Sequence, residues 1–308
     1  MSFIHSQSAR VSTRSPLPVR LSLKLLLGLS ALSLSACGAT QTQLTGKMEL
    51  GEKKGDASAK VEQGDTLWAS RADRDKAKEA IGAWEEASAL DPTRADIHLK
   101  LSYAYYFMAN THVRWDEDND EAMADLFHKG KSEGELAILA QSPEFKKALE
   151  TTKWEEAVKS VPKEGIASLY WYATNLGKWS LIQGISVTLG NKGVIKSTMD
   201  RVLELDETFY HGAPHRYFGV YEAKVPFGNI KRSGESFDKA IEISPNYLDT
   251  KVLKAQYYAA KTQNEELFTS LLNEVIAADP KAIPELEVEN LNAQRTAKDL
   301  LENIEDYF

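Results

Sequence analysis

The sequence predicts an all-α protein, built of helical hairpins stacked into a tetratricopeptide-like solenoid with a C-terminal capping helix. Three observations carry this. From about Ser58 onward apolar residues recur at helical spacing, with no alternating strand pattern and no Asn-Gly hairpin turn. A terminator also recurs: "AWEEASALDP" ends at Pro92, "SFDKAIEISP" at Pro245 and "LLNEVIAADP" at Pro280. In a fourth copy, "MDRVLELDET", Glu207 takes the place of the proline. Glu207, Pro245 and Pro280 lie 38 and 35 residues apart, a spacing that fits a helix pair of about 34 residues.

The terminator has a simple cause. The residue before proline resists the helical conformation, so the helix stops there. Proline then suits the first turn of the next helix. Small residues (Ala87, Ala240) let neighbouring helices approach, and Trp84, Phe237 and Leu271 fill the space between them.

In chain order the hairpins are expected at 58–71 with 74–90 and at 93–110 with 118–140. An irregular helical insert comes next, at 144–160. Further hairpins are expected at 164–184 with 192–205, 208–224 with 231–243, and 246–261 with 264–278. Gly177, Gly184, Gly190 and Gly193 would allow close helix contact or leave room for a bore; equally, Gly190 and Gly193 would form the turn of the third pair. A last helix, 284–305, is charged along one side and reads as the cap of the stack.

The N-terminus is a different kind of sequence. Residues 1–36 hold Arg10, Arg14, Arg20 and Lys24 and no acid, and the apolar run Leu25 to Leu34 comes after the last of these cations. That is a secretory signal pattern, with a basic region long enough for the true start to be an internal codon near Ser12 or later. It ends Leu34-Ser35-Ala36-Cys37, which resembles the bacterial lipobox, and Cys37 is the only cysteine. A lone cysteine cannot form an internal disulfide; lipidation of Cys37 gives it a role. Gly38 stands next rather than Asp, which suggests the outer membrane, facing the periplasm. Residues 38–57 lack an apolar period and read as a flexible tether of roughly 25 Å. The domains expected are thus a signal at 1–36, the lipidated cysteine and tether at 37–57, and the helical body at 58–308.

Charge narrows the function. Cutting the signal takes Lys plus Arg from 37 to 33 against 45 acids, a net charge of −12, which speaks against nucleic acid. No phosphate-binding Gly-rich loop, Gly-x-Ser-x-Gly or ordered Ser/His/Asp set is present, so neither an enzyme nor a cofactor is expected. His211 and His215 are four apart, but Gly212 and Pro214 interrupt the helix between them and no metal site is expected.

Two aromatic stretches stand out: "YWYATNLGKW", with Tyr170, Trp171, Tyr172 and Trp179, and "HGAPHRYFGVYEAKVPFG", with His215, Arg216, Tyr217 and Tyr221. Both fall on first helices of hairpins, the helices that line the concave side of such a stack. Rings plus one Arg would suit an apolar ligand with a carboxylate head. The plainer reading of any single ring is core packing. If Arg216 holds a ligand, Arg216→Ala should weaken binding and leave the melting temperature almost unchanged.

These two stretches, together with the run from Ser236 to Ile276 and the closing "ENLNAQRTAKDLL", resemble the TatT family, the T component of TRAP transporters associated with a tetratricopeptide protein. The resemblance covers about Ile81 to Leu301. It implies a helical-repeat fold with a channel or concavity. It also implies a periplasmic solute-binding P component as partner, and a small hydrophobic organic ligand on its way to a permease. Trimers are known in the family, so a homotrimer is a further expectation. Glu289 and Gln294 depart from the apolar or basic types expected in the closing stretch. The alternative is an outer-membrane lipoprotein scaffold for envelope proteins, with no small-molecule ligand.

Overall fold

A computed structural model describes residues 48–225 and 227–308. The lipobox, Cys37 and the start of the tether lie outside the described residues. The body is all helical, with hairpins in the expected order. They are α1 Ser58–Trp68 with α2 Arg74–Leu90, α3 Ala95–Phe107 with α4 Asp120–Gln141, α7 Ile166–Gln183 with α8 Ile185–Leu205, and α9 Phe209–Lys224 with α10 Ile230–Ile243. Between the second and third pairs run the short α5 Pro143–Leu149 and α6 Trp154–Ala157. The fifth pair sets α11 Asp249–Leu253, continued by a π-helical stretch Lys254–Ala259, against α12 Glu265–Ala277; α13 Glu287–Glu302 closes the chain.

Local chemistry explains the boundaries. Asp73, Asn229 and Asn264 accept hydrogen bonds from backbone amides in the first turns of α2, α10 and α12, satisfying donors that a helix start leaves open. Asp91 and Ser244 stand before prolines with ψ near 82° and 83°, outside the helical range. Asp206 breaks α8 without a proline: its Oδ1 accepts from the Thr208 amide at 2.9 Å, an Asx turn with the same effect.

Packing rests on small residues at crossings. A Cβ at Gly134 of α4 would lie 2.8 Å from the Tyr172 Cα, so α4 and α7 touch backbone to backbone there. Trp154 plugs the insert into this layer. It stacks on Tyr172 at 4.5 Å, and its indole donates to Thr198 Oγ1 at 2.8 Å.

Two expectations need correction. The turn of the third pair is made by Gly184 alone (φ 99°), and Gly190 and Gly193 lie inside α8; helical glycine costs only about 1 kcal/mol, which packing around Val194, Ile195 and Val202 offsets. The end of the expected tether is docked. The amides of Lys54 and Gly55 donate to Leu90 O at 2.8 and 3.1 Å, Ala57 is buried, and Lys53 pairs with Asp91 at 2.8 Å.

The last helix, α13, caps the stack as expected and also does more. Ala293, Ala297 and Leu300 pack on the fifth pair, and Gln294 donates to the carbonyls of Val275, Ile276 and Ala278 at the end of α12. Its other side reaches back to the first two pairs. Glu289 pairs with Arg71 at 3.0 Å, and Tyr103 donates to Glu289. Trp115 donates to Asn292 at 3.0 Å, and Arg295 lies 3.9 Å over the Trp115 ring. The solenoid therefore closes on its own beginning, with the first helices α3, α7, α9 and α11 around the inside. Glu289 and Gln294, the two departures in sequence, are the residues that make the two joints.

Candidate functional site

The inner wall is built from rings on different helices. Tyr103 and Tyr106 of α3 lie 4.5 and 5.1 Å from Trp171 of α7. Tyr170 touches Trp171 at 4.8 Å and Tyr210 of α9 at 5.7 Å, and Tyr210 meets Tyr247 at 5.9 Å. A spacing of three puts Tyr103 and Tyr106 on one face of α3, and the tilted and edge-on geometries are those aromatic pairs prefer.

At the centre of this wall the backbone is strained. Tyr210, His211 and Gly212 are left-handed, with φ of 42°, 61° and 72°. Two consecutive non-glycine residues there are costly and persist only if their surroundings hold them. Arg216 does the holding. Its guanidinium donates to His211 O at 3.1 Å, to Tyr210 O at 3.4 Å and to Thr250 Oγ1 at 3.4 Å, and approaches the Tyr170 hydroxyl at 3.5 Å. It also lies 4.2 Å over the Tyr247 ring. His211 stacks on that same tyrosine at 5.3 Å and meets Ser244 Oγ at 3.1 Å. Burial works against the charge of Arg216, but Tyr247, Tyr170 and Asp249 outweigh it and its pKa is raised. Its donors are therefore spent on the protein. The expectation that Arg216→Ala leaves stability almost unchanged is corrected, because removing the side chain would orphan the carbonyls of the kink.

A second set of groups continues the wall. Trp171, Thr174 and Lys178 form one stripe of α7 at i, i+3 and i+7. Lys178 is surrounded by protein yet keeps accessible surface, as do Tyr106 and Tyr257. Deep side chains that still meet solvent line a concavity. Burial first, then the neighbouring Arg114, lowers the Lys178 pKa to about 8, with Lys224 adding to the effect and Asp249 opposing it. Open space adjoins Gly177 of the same helix, where a Cβ would meet nothing within 4 Å. Both π-helical stretches, Met108–His112 and Lys254–Ala259, flank this part of the wall; such insertions often mark functional sites.

The residues singled out in sequence divide. Tyr170 and Trp171 join the inner rings, and Arg216 supports them from behind. Tyr172 is fully buried against Trp154, and its hydroxyl has no partner among the described residues. Trp179 turns toward α4, 5.6 Å from His128 and under Lys131. Tyr217 stacks on Tyr221, which lies under Lys192 of α8, so this pair faces the α8–α9 groove. His215 meets Glu207 near the surface at 3.1 Å and His211 points elsewhere. Among the described residues no three His, Cys, Asp or Glu side chains are placed to hold a metal. Tyr103, Tyr106, Tyr247, Lys178 and Glu289 escape the sequence reading. Lys178 is legible as the inward residue two turns after Trp171, whereas the other four require knowing which helices meet.

A closed ring of helical hairpins with an aromatic inner wall defines an all-α repeat protein. Residues 84–308 match the family model described as TRAP transporter T-component, and the chain belongs to that family. It is thus an accessory protein associated with TRAP transport. No curated protein matches the chain.

Proposed function

We propose that this T component is anchored by lipid at Cys37, no farther from the membrane than its short N-terminal segment allows, and faces the periplasm from the outer membrane. There it passes a small, largely hydrophobic organic ligand to or from a periplasmic solute-binding protein. The observation that carries this reading is the ring of Tyr103, Tyr106, Tyr170, Trp171 and Tyr210 on the inside of a closed helical stack. Apolar rings with phenolic edges suit a ligand that is mostly hydrocarbon with a few polar atoms.

The scaffold alternative is supported by the tight packing of Tyr170 and Trp171, which are 7% and 5% exposed. Native mass spectrometry of the detergent-extracted lipoprotein separates the two. A co-purifying small molecule, together with recovery of a solute-binding protein by affinity capture, is the expected result. An empty ring and recovery of envelope-assembly proteins alone would favour the scaffold. Cys37→Ser should release the protein from the membrane fraction, and retention there would refute the anchor.

A further inference from the structure

The inner wall carries a charge imbalance that ring stacking does not use. Arg114, Lys178 and Lys224 have no carboxylate within 4 Å and no side-chain hydrogen bond among the described residues. Arg114 rests on Trp115 at 4.8 Å and Lys224 on Tyr257 at 5.0 Å; Lys178 rests on nothing. Buried Arg216 adds a further positive charge behind them. Against these cations the wall offers Asp249, at the first turn of α11; its other acid, Glu289, is already paired with Arg71. The chain as a whole is acidic, with 45 acids to 37 Lys and Arg, so a local excess of cations facing a concavity is against the trend of the composition. On the outer surface lysines find acids, as in Lys76–Glu79 and Lys196–Asp200, both at 2.8 Å. Lys178 and Arg114 are half-buried and Lys224 is exposed; a cation partly withdrawn from water without an anion carries a cost, and such a cost persists where an anion arrives later.

We propose that Lys178, with Arg114 and Lys224, forms the head-group site of the ring and takes the carboxylate of an amphiphilic organic acid whose apolar body lies on Tyr106, Trp171 and Tyr257. This deepens the transport reading and rests on it. It moves the anion-holding role from Arg216, whose donors are occupied, to Lys178, whose donors are free. Lys178 reaches the concavity from α7, Arg114 from the turn after α3 and Lys224 from the end of α9, so a bound carboxylate would be held from three elements of the stack. Lys178 is the selective member, because its ammonium is the one without an aromatic partner. Its lowered pKa adds a pH signature: the ammonium is present below about 8 and lost above it. Arg114 and Lys224 disfavour the charge, Asp249 favours it, and Tyr106 and Tyr257, their phenols raised by burial, stay neutral.

The test is calorimetry on the full chain with a matched pair of probes, octanoate and 1-octanol, beside the neutral apolar dye N-phenyl-1-naphthylamine. The expected result is that octanoate binds at least tenfold more tightly than 1-octanol at pH 7, and that this preference shrinks between pH 8 and 9. Lys178→Gln should remove most of the preference while leaving octanol and dye binding within about twofold. Lys178→Arg should keep the preference and abolish its pH dependence. Equal affinity for octanoate and octanol in the unmodified protein would overturn the inference and leave the transport reading intact. A Lys178→Gln protein that loses both probes equally would show a packing role instead and also overturn it. If octanoate fails while the dye binds, the head-group site falls alone; if nothing binds, the ligand reading falls with it.

Discussion

The outer surface and the inner wall of this ring treat charge in opposite ways. Outside, lysines and acids sit one helical turn apart and pair in water: Lys76–Glu79, Lys159–Glu156, Lys196–Asp200, Lys239–Glu242. Exposed pairs of this kind contribute only a few tenths of a kcal/mol each. Inside, the charges either serve the backbone, as Arg216 does, join the ring, as Arg71 and Glu289 do, or go unpaired, as Lys178 does. The lesson is that charge outside is a solubility feature and charge inside is assigned to a task.

Substitution can break this comparison at several depths. The largest effect is expected at the joint. Glu289→Ala would leave Arg71 and the Tyr103 hydroxyl partly buried without their acceptor, costing about 3 kcal/mol and lowering the melting temperature by roughly 6–9 °C. A calorimetric scan that shows less than 1 °C would mean the ring does not depend on this joint.

Next comes Arg216→Met, which keeps the volume but orphans the carbonyls of Tyr210 and His211. About 2 kcal/mol of destabilisation is expected in urea unfolding, and an unchanged midpoint would show that the kink holds itself.

Lys178→Met should act in the opposite direction. A lysine whose folded pKa is depressed to about 8 is penalised whenever it is charged. The unfolded chain binds the extra proton between about pH 8 and 10.4, so stability rises with pH across that window and the penalty is full below it. The ligand-free variant should gain about 1 kcal/mol at pH 7, less than the full shift implies because the side chain keeps some solvent contact. The gain should vanish near pH 10.5; equal destabilisation at both pH values would place Lys178 in a structural pairing. The smallest effect is expected outside: Lys239→Ala, which loses only the exposed pair with Glu242, should change the unfolding midpoint by less than 0.5 kcal/mol, roughly the scatter of the measurement.

Much of the fold could be read from the chain. Helix ends at Asp91, Asp206 and Ser244 are set by the residue beside them, and the hairpin order is set by the recurring terminator. The π-helical stretches carried no such mark. Nor did the left-handed turn at Tyr210 and His211, although Gly212 and Pro214 warned that this helix start was irregular. The site was legible in part. Tyr170 and Trp171 do face inward, but Tyr172 and Trp179, on the same helix, turn to other neighbours. A helix displays its residues around a full circle, and sequence spacing groups them into faces without saying which face meets the interior.

What the sequence determined by itself is therefore local: where helices begin and end, that they pair, and that a terminal helix charged along one side caps the stack. Tertiary structure alone decided that the stack closes, that Glu289 meets Arg71 across 218 residues, that Arg216 is spent on its own backbone, and that Lys178 is left open. The physical reason is the range of the forces. Helix periodicity and capping act over three or four residues, whereas closure depends on small rotations summed over every hairpin in the stack.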